Sequence, residues 1–507
     1  MAAETQGAQA ARPGGGGPDP EAADAARCER VRAALAAANY NDEGITRTLG
    51  VSQLTGLRER RLPALLRRVR GGSPLETLVR LFMLGQAAEA AAFARAVAPG
   101  GGDDWIALGL IETAGAEVIP TVQLRCYQDL VLASDFVRMG EGGLRPDYVM
   151  GVSPSSQILV SVTPRPPVRA TLDMGAGCGI QALLAARHSE RVVGVDCNPR
   201  AVAMARFNAR FNRVANVEFR LGDMFAPVAG ENFDLIVSNP PFIISPDSRH
   251  MFLNSGWESD DASRRIVQEA PRYLTAGGTA VLNANWAMVE GEDWRARLAG
   301  WFAGSGCDGL ALQIDTTELD RYATLQIQAG EHSPEEFARA FEAWMAYYAE
   351  HRITAICAGV IALRRRAAAV NWFAVESGPV DLAVAAGADV ERLFALRTWL
   401  QAGGDRGLLE ARLRLAPNVV LEQTCKAEAG AWQPVRMHVR RTGGIGFAGT
   451  IDAVGARLLA HCDGTLPVRE HLRTVAAALH ADSDAITPAA LAILRRLVEQ
   501  GFLEPAA

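Results

Sequence analysis

The residues best placed to do chemistry stand together in the segment Val237-Ser238-Asn239-Pro240-Pro241-Phe242. It follows Phe233-Asp234-Leu235-Ile236-Val237, a short apolar run that predicts a buried strand. The two prolines make a stiff, extended exit from that strand, with the amide of Asn239 on one side and the ring of Phe242 on the other. Such a corner is suited to accept N–H bonds from a flat, nitrogen-bearing group while a ring packs on that group's face.

A glycine-rich turn lies upstream, in Asp173-Met174-Gly175-Ala176-Gly177-Cys178-Gly179. It follows the predicted strand Ala170–Met174 and precedes a helix that begins near Ile180. Glycine lets the chain turn tightly and lets a ligand pack against bare backbone. Because nicotinamide and flavin domains use similar turns, this feature alone does not name the ligand.

Further polar side chains follow the next two predicted strands. Asp196 ends Val192–Asp196, where a carboxylate accepts hydrogen bonds from both ribose hydroxyls of a nucleoside cofactor. Asp223 and Met224 follow Val217–Leu221. Nicotinamide domains have no reason to carry the Asn239–Phe242 tetrapeptide after the fourth strand. Together these features predict methyl transfer from S-adenosylmethionine (SAM) to a planar nitrogen.

Each carboxylate also has a simpler explanation. In that explanation, Asp173 and Asp223 are ordinary turn or loop residues. Asp196 and Asn198 then serve only to cap the helix that begins at Pro199. We favour the shared site because these residues follow successive strands in order, and open parallel sheets bind ligands at the carboxyl ends of their strands.

The alternation of apolar runs with helical patterns over residues 145–330 predicts an α/β fold, a doubly wound, Rossmann-like sheet of seven strands. Thr279–Ala284 is the fifth predicted strand. We expect a final antiparallel pair to complete the sheet, formed by Gly309–Ile314 and Tyr322–Gln328.

Residues 145–330 resemble the small-domain class I SAM-dependent methyltransferases, which include release-factor glutamine N5-methyltransferases and enzymes that methylate ribosomal RNA or DNA bases. The matching stretches are Leu172–Gly179, Gly194–Pro199, Gly222–Phe225, Asp234–Phe242 and Arg265–Gly278. The resemblance implies that Asp173, Gly175, Gly177 and Gly179 flank the methionine moiety of SAM, that Asp196 binds the ribose, and that Asp223 and Met224 contact the adenine. The resemblance also implies that Asn239 contacts the methyl acceptor and lies beside the cofactor.

The catalytic hypothesis concerns Asn239, Pro240, Pro241 and Phe242. The side-chain oxygen of Asn239 and the backbone carbonyl of Pro240 each accept an N–H bond from the target nitrogen, and Phe242 stacks on the target. No metal is required. The glutamine enzymes usually have tyrosine where this chain has Phe242, which favours an RNA or DNA base as acceptor. A translation-factor glutamine, a small molecule, and a SAM-binding regulator without catalysis are the alternatives.

The flanking regions define the remaining predicted units. Residues 1–23 are rich in Ala, Gly and Pro and predict a disordered tail. Residues 24–144 predict a helical, winged-helix-like domain with a capping box at Ser73, and residues 331–507 predict an α+β domain that contains a strand at Ile353–Leu363 and ends in a winged-helix-like segment. Such modules bind nucleic acid or serve as packing units.

Composition limits the setting. No apolar run reaches the length of a membrane span. The eight cysteines are scattered without a Cys-x-x-Cys pair, which favours reduced thiols in the cytoplasm. The net charge of −6 gives no general attraction to nucleic acid. Local basic clusters are candidate contact surfaces: Arg58, Arg60, Arg61, Arg67, Arg68, Arg70, Arg364–Arg366, Arg440 and Arg441.

Overall fold

The computed structural model describes residues 17–18, 20–54, 61–136, 145–246, 258–327, 333–380, 385–428, 430–478 and 480–506. Most of the predicted tail, residues 1–23, lies outside this part of the chain. The helices and strands before residue 145 are α1 (Ala25–Ala37), α2 (Asp42–Leu49), α3 (Leu62–Arg68), α4 (Pro74–Phe82), β1 (Ala88–Glu89), α5 (Ala90–Ala96), α6 (Asp103–Ala107), β2 (Ile111–Ala114), β3 (Glu117–Pro120), β4 (Gln123–Tyr127) and β5 (Leu130–Ser134).

Local capping explains where several of these helices begin. Asp24 accepts the backbone N–H bonds of Ala26 and Arg27 at the start of α1. Ser73 and Glu76 form the predicted capping box of α4, with Pro74 in the first turn.

The middle of the chain forms the central sheet and its helices. The elements are α7 (Pro154–Val162), β6 (Val168–Met174), α8 (Ile180–Ala185), β7 (Ser189–Asp196), α9 (Pro199–Phe211), β8 (Val217–Leu221), β9 (Phe233–Ser238), α10 (Asp261–Glu269), β10 (Leu274–Val289), α11 (Trp294–Trp301), β11 (Cys307–Glu318), α12 (Leu319–Ile327), α13 (Pro334–Glu350), β12 (Ile353–Arg365) and β13 (Phe373–Ser377).

These strands make one eight-stranded sheet, in the order β13-β11-β12-β10-β9-β6-β7-β8. All neighbouring pairs are parallel except those of β12, which runs antiparallel to both β10 and β11. The chain winds outward from β6 in both directions, so the order reverses between β6 and β9, the point at which doubly wound sheets bind ligands. The predicted α/β, doubly wound fold is confirmed, with eight strands in place of seven.

The predicted strand Tyr322–Gln328 is wrong. Residues 319–327 form α12, and Gln328 lies outside the described residues. Tyr322, Ala323 and Ile327 are the buried residues of this segment, and α13 packs against it as a helical neighbour. A strand would bury every second residue, whereas the buried residues here follow one face of a helix.

The antiparallel partner of β11 is therefore β12, whose residues lie beyond 330. The strand predicted at Ile353–Leu363 exists, but it pairs inside the central sheet instead of in a separate C-terminal domain, and β13 follows it at the edge. The helices α12 and α13 are thus an insertion between two paired strands. The sheet extends past the predicted domain boundary at residue 330.

The remaining residues form the C-terminal region. Its elements are α14 (Gly387–Glu410), β14 (Arg412–Leu415), β15 (Val419–Glu428), β16 (Ala431–Arg441), β17 (Ala448–Thr450), α15 (Ala453–His461), β18 (Asp463–Pro467), α16 (Val468–Ala478), α17 (Ser483–Glu499) and β19 (Leu503–Pro505). Glu376 of β13, 1% exposed, accepts hydrogen bonds from Arg397 of α14 and from Arg496 and Gln500 at the end of α17, and so joins this region to the sheet edge.

Both flanks contain the helix and strand order typical of a winged helix. In the N-terminal region it runs α4-β1-α5-α6-β2-β3, with β1, β3 and β2 in one sheet, and in the C-terminal region it runs α15-β18-α16-α17-β19. The third helix of each unit, α6 or α17, buries one face against its neighbours and leaves the other face exposed. Asp104 of α6 accepts hydrogen bonds of 2.6 and 2.7 Å from Arg30 of α1, while α17 packs on α14.

Several of the predicted basic contact residues are occupied by internal bonds. Arg365 donates to the carbonyls of Pro271 and Leu274, and Arg366 pairs with the buried Asp308. Arg440 pairs with Glu422, and Arg441 is buried against Asp389. Arg61, Arg67, Arg68 and Arg70 are exposed, whereas Arg58 and Arg60 fall outside the described residues.

Candidate active site

The strand register brings the predicted site residues to one edge of the sheet. Met174, the last residue of β6, is paired with Ser238 at the end of β9 and with Val195 of β7. Asp196 is paired with Leu221 at the end of β8. The Ser238 hydroxyl donates to the Met174 carbonyl at 2.8 Å, so the glycine turn and the Asn239 corner leave the sheet side by side.

The glycine turn requires glycine on conformational grounds. Gly175, Gly177 and Gly179 have φ values of 76°, 54° and 85°, the region that residues with a Cβ rarely adopt. The N–H groups of Gly175 and Ala176 both donate to the carbonyl of Val195. A Cβ on Gly177 would meet no heavy atom within 4 Å, and one on Gly175 would lie 3.7 Å from the Asn239 carbonyl oxygen. The turn therefore opens onto free space beside Asn239.

That space is a cavity of about 340 Å³. Its polar walls include Asp196, Asp223, Asn239 and the bare backbone of Gly175 and Gly177. Of the lining residues that the structure describes, two carry a carboxylate and none is lysine, arginine or histidine. The remaining described lining residues are Tyr148–Gly151, Ser156, Met174, Ala176, Cys178, Ile180, Gln181, Val195, Cys197, Asn198, Ala201, Gly222, Met224, Ser238, Pro240, Pro241, Ala262 and Ile266.

Asp173 lies behind the turn and is not among those lining residues. It is 1% exposed, and its Oδ2 accepts the N–H bond of Ala182 in the first turns of α8, at 2.9 Å. Its Oδ1 is buried without a partner among the described residues. Burial, opposed in part by the Ala182 bond and assisted by the charge of Asp196, raises the pKa of Asp173 to about 7. Asp173 therefore supports the turn and the helix, in keeping with its simpler explanation.

Asp196 stands at the cavity wall and holds two backbone groups. Its Oδ2 accepts the N–H bond of Gly177 at 2.8 Å, and its Oδ1 accepts that of Asn198 at the same distance. Burial raises its pKa, against the lowering effect of these bonds. Asn198 caps α9 through Arg200, as predicted. The carboxylate therefore keeps a lone pair with which to accept a hydroxyl.

Asn239, Pro240 and Pro241 line the cavity, whereas the half-buried Phe242 is not among the described lining residues. The Asn239 Oδ1 accepts a hydrogen bond of 2.7 Å from Asn283 on β10. Beyond Phe242, Ile244 is held from both sides: its N–H donates to the Tyr322 hydroxyl, and its carbonyl accepts from the Tyr348 hydroxyl. The insertion α12–α13 thus positions the segment that follows the diproline.

One wall of the cavity was missed in the sequence, namely Tyr148–Gly151 with Ser156 of α7. The segment Ser153-Pro154-Ser155-Ser156 makes a capping box, with Ser156 in place of the usual glutamate. The sequence signal for this helix is a serine followed by a proline, with a second hydroxyl-bearing residue three positions after the first serine. The local sequence pattern does not indicate that α7 lies beside Asn239.

The cavity fits the SAM that the resemblance implies better than it fits a dinucleotide. A dinucleotide carries a negatively charged pyrophosphate, whereas the described walls carry two carboxylates and no cation. A nucleoside with a cationic sulfonium suits that charge. Asp196, which the resemblance assigns to the ribose, lines the cavity together with Asp223 and Met224, which it assigns to the adenine. The open face of Gly177 gives backbone for the ligand to pack against.

Metal-binding clusters and membrane-spanning helices are both absent from the described part of the chain. Its residues hold no cluster of three or more His, Cys, Asp or Glu side chains arranged for a metal ion. No described helix combines the length and the apolar character needed to cross a bilayer.

Three stretches of the chain match known protein families. Residues 150–290 match the family described as "Methyltransferase small domain". Residues 37–121 and 391–505 match two domains of unknown function, designated DUF7059 and DUF7782.

Among the similar proteins are release factor glutamine methyltransferases. That of Geobacter sulfurreducens is 36% identical over 171 residues, which are 31% of this chain and 57% of the relative. That of Cereibacter sphaeroides is 32% identical over 190 residues, or 35% of this chain and 66% of the relative.

Ribosomal RNA small subunit methyltransferase C of Alcanivorax borkumensis is 36% identical over 114 residues, 22% of this chain and 31% of the relative. The chain thus spans between 31% and 66% of the length of these relatives. Residues 150–290 are a methyltransferase small domain of the class I type.

Proposed function

We propose that this chain is a SAM-dependent N-methyltransferase that modifies a planar nitrogen of a macromolecule. The observation that carries the proposal is the contact between the two motifs: the Asn239 carbonyl lies at the face of Gly175, and both line one cavity. A group held by Asn239 is therefore adjacent to a ligand packed on the glycine turn.

Different residues bind the two ligands, SAM and the methyl acceptor. Asp196, Asp223, Met224 and the glycine turn bind SAM, which when bound supplies an electrophilic methyl group on its sulfonium sulfur. The main contribution of the protein is then to position the nucleophile. An amide or exocyclic amine nitrogen is a weak nucleophile because its lone pair is delocalised.

Asn239 and Pro240 address that weakness. The Asn239 Oδ1 accepts one bond from Asn283 and keeps a second lone pair for an acceptor N–H. The Pro240 carbonyl provides a second oxygen on the stiff diproline. When the N–H groups of the target nitrogen donate hydrogen bonds to these two oxygens, they oppose the delocalisation of the nitrogen lone pair. The stacking role of Phe242 stays a prediction.

We favour a protein glutamine over a nucleic-acid base as the acceptor. Four of the predicted basic contact residues are engaged in bonds within the protein, namely Arg365, Arg366, Arg440 and Arg441. The similarity to release factor glutamine methyltransferases points the same way. A cytoplasmic location and a translation factor as partner belong to this proposal.

The experiment uses the full chain, tritiated SAM and an extract from cells that lack the protein. Label that is removed by protease and survives nuclease supports a protein acceptor, and hydrolysis of the labelled band should release N5-methylglutamine. Label removed by nuclease would identify a base and overturn the glutamine assignment. Absence of label in both fractions, with bound SAM verified by calorimetry, would overturn macromolecular N-methylation.

A further inference from the structure

A buried asparagine outside the cavity touches the proposed catalytic corner. Asn283 lies on β10, one residue beyond the pairing of Leu282 with Ser238, and is 3% exposed. Because β10 continues after β9 has ended, its side chain reaches the residue that follows β9, Asn239. Asn283 is not among the described lining residues of the cavity.

The hydrogen bonds of Asn283 define its own orientation. Its Nδ2 donates to the backbone carbonyl of Ser155 at 2.8 Å and to the Oδ1 of Asn239 at 2.7 Å. A backbone carbonyl only accepts hydrogen bonds, so the group facing Ser155 must be the NH₂ and not the oxygen of Asn283. An amide turned the other way would place two oxygens against each other.

This orientation decides that of Asn239 in turn. One hydrogen of the Asn283 NH₂ points to Ser155 and the other to Asn239, and the partner of a donor must be an acceptor. The Asn239 oxygen therefore faces Asn283, and its Nδ2 faces the Ser155 hydroxyl at 3.4 Å. The chemistry of the neighbouring groups thus specifies which end of each amide is the oxygen.

We infer that Asn283 is a positioning residue, which holds the Asn239 amide with its oxygen as acceptor for the incoming N–H. The inference rests on the proposed function and names a residue that acts through Asn239. Without Asn283, the Asn239 amide is free to rotate about its χ2 torsion. It then presents its NH₂ group to the N–H of the methyl acceptor, and the two donors cannot form a hydrogen bond. Turnover falls, and the SAM-binding residues are untouched.

Two variants test this role, Asn283→Ala and the nearly isosteric Asn283→Asp. The aspartate presents only oxygens to Ser155 and Asn239 and favours the reversed Asn239 amide. We expect methyl incorporation from tritiated SAM to fall on the order of tenfold for Asn283→Ala, and further for Asn283→Asp. The Kd for SAM, measured by calorimetry, should change less than twofold.

Asn216→Ala is the matched control. Like the Asn283 Nδ2, the Asn216 Nδ2 donates two hydrogen bonds, here to the backbone carbonyls of Ala186 and Ser189, away from the cavity. It should lower the Tm to a similar extent as Asn283→Ala and leave methyl incorporation unchanged.

A double-mutant cycle separates positioning from a general structural effect. In the Asn239→Ala background, Asn283→Ala should lower incorporation less than twofold further. An additional tenfold loss would mean that Asn283 acts through something other than Asn239 and would overturn the inference. Either Asn283 variant serves if the other does not fold.

A readout independent of turnover distinguishes failure of this inference from failure of the proposed function. The readout is an NMR spectrum of protein whose asparagines carry an NMR-active nitrogen isotope. The side-chain NH₂ resonance of Asn239 is the one that is missing from the spectrum of Asn239→Ala. It should shift in Asn283→Ala and stay in place in Asn216→Ala. An unchanged Asn239 resonance would contradict the positioning role even in a preparation that transfers no methyl group.

Discussion

Asp196 accepts on its Oδ2 the backbone N–H bond of Gly177, at 2.8 Å. The carboxylate that the proposal assigns to the ribose therefore also supports the glycine turn that the proposal assigns to the same cofactor. Its second oxygen holds Asn198, the cap of α9. One side chain thus couples ligand binding to the shape of the loop around it.

Asp196→Ala should therefore weaken SAM binding in two ways. It removes the acceptor for the ribose hydroxyls and frees the Gly177 N–H. We expect the Kd for SAM to rise roughly 10- to 100-fold, in line with about 1.5–3 kcal/mol for hydrogen bonds to a charged group. Calorimetric titration checks this. A Kd within twofold of wild type would show that Asp196 does not contact the cofactor.

Asn239→Ala should separate catalysis from cofactor binding. The amide offers an acceptor oxygen to the target nitrogen, so turnover should drop on the order of a hundredfold, comparable to loss of a catalytic hydrogen-bonding group. The Kd for SAM should stay within about threefold of wild type, because the carboxylates and the glycine turn assigned to SAM are unchanged. Initial rates with tritiated SAM, alongside calorimetry, measure the two effects. Equal losses of both would contradict the assigned role.

Two glycines of the turn should respond differently to alanine. A Cβ on Gly179 would lie 3.1 Å from Ala205 and from the Phe219 ring at a φ of +85°, so Gly179→Ala should lower the free energy of unfolding by about 1–3 kcal/mol. Gly177 faces open cavity, and Gly177→Ala should cost about 1 kcal/mol from backbone strain while weakening SAM binding.

Gly230 provides the control for strain alone. It has a φ of +81° with nothing within 4 Å of a Cβ, and it is not among the residues lining the cavity. Gly230→Ala should match the stability loss of Gly177→Ala and leave SAM binding intact. Urea unfolding and calorimetry measure both quantities. Equal SAM affinities in the two variants would show that Gly177 does not face the cofactor.

The raised pKa of Asp173 predicts how stability depends on pH. This pKa is about 7 in the folded chain, whereas the pKa of an aspartate in an unfolded chain is about 3.9. Between these values the folded state binds a proton that the unfolded state has released. The free energy of unfolding contributed by this group is therefore highest below about pH 4 and falls as the pH rises toward about 7.

Asp173→Asn stays neutral and keeps an oxygen for the Ala182 N–H. It should flatten this part of the profile and be more stable than wild type at pH 8, by a few kcal/mol, on the order of 1.4 kcal/mol per pKa unit. Urea unfolding at pH 5, 6, 7 and 8 provides the comparison. Parallel profiles for the two proteins would mean that Asp173 is ionised in the folded state.

The amino-acid sequence determined the architecture of the site to a large degree. The apolar runs that end at Met174, Asp196, Leu221 and Ser238 are strands, since runs of this kind between glycine- and proline-rich turns have few other ways to be buried. Their order in a parallel sheet brings their carboxyl ends to one edge. The glycine turn, Asp196, Asp223 and Asn239 therefore line the same cavity.

Tertiary structure alone decided the parts that depend on distant partners. The apolar residues of 319–327 are compatible with a strand until α13 covers one helical face, and β12 enters the sheet because its buried residues pair with both β10 and β11. The meeting of Asn283 with Asn239 depends on two strands of unequal length lying side by side. A local pattern carries the period and ends of an element, whereas pairing and side-chain contacts depend on which surfaces meet.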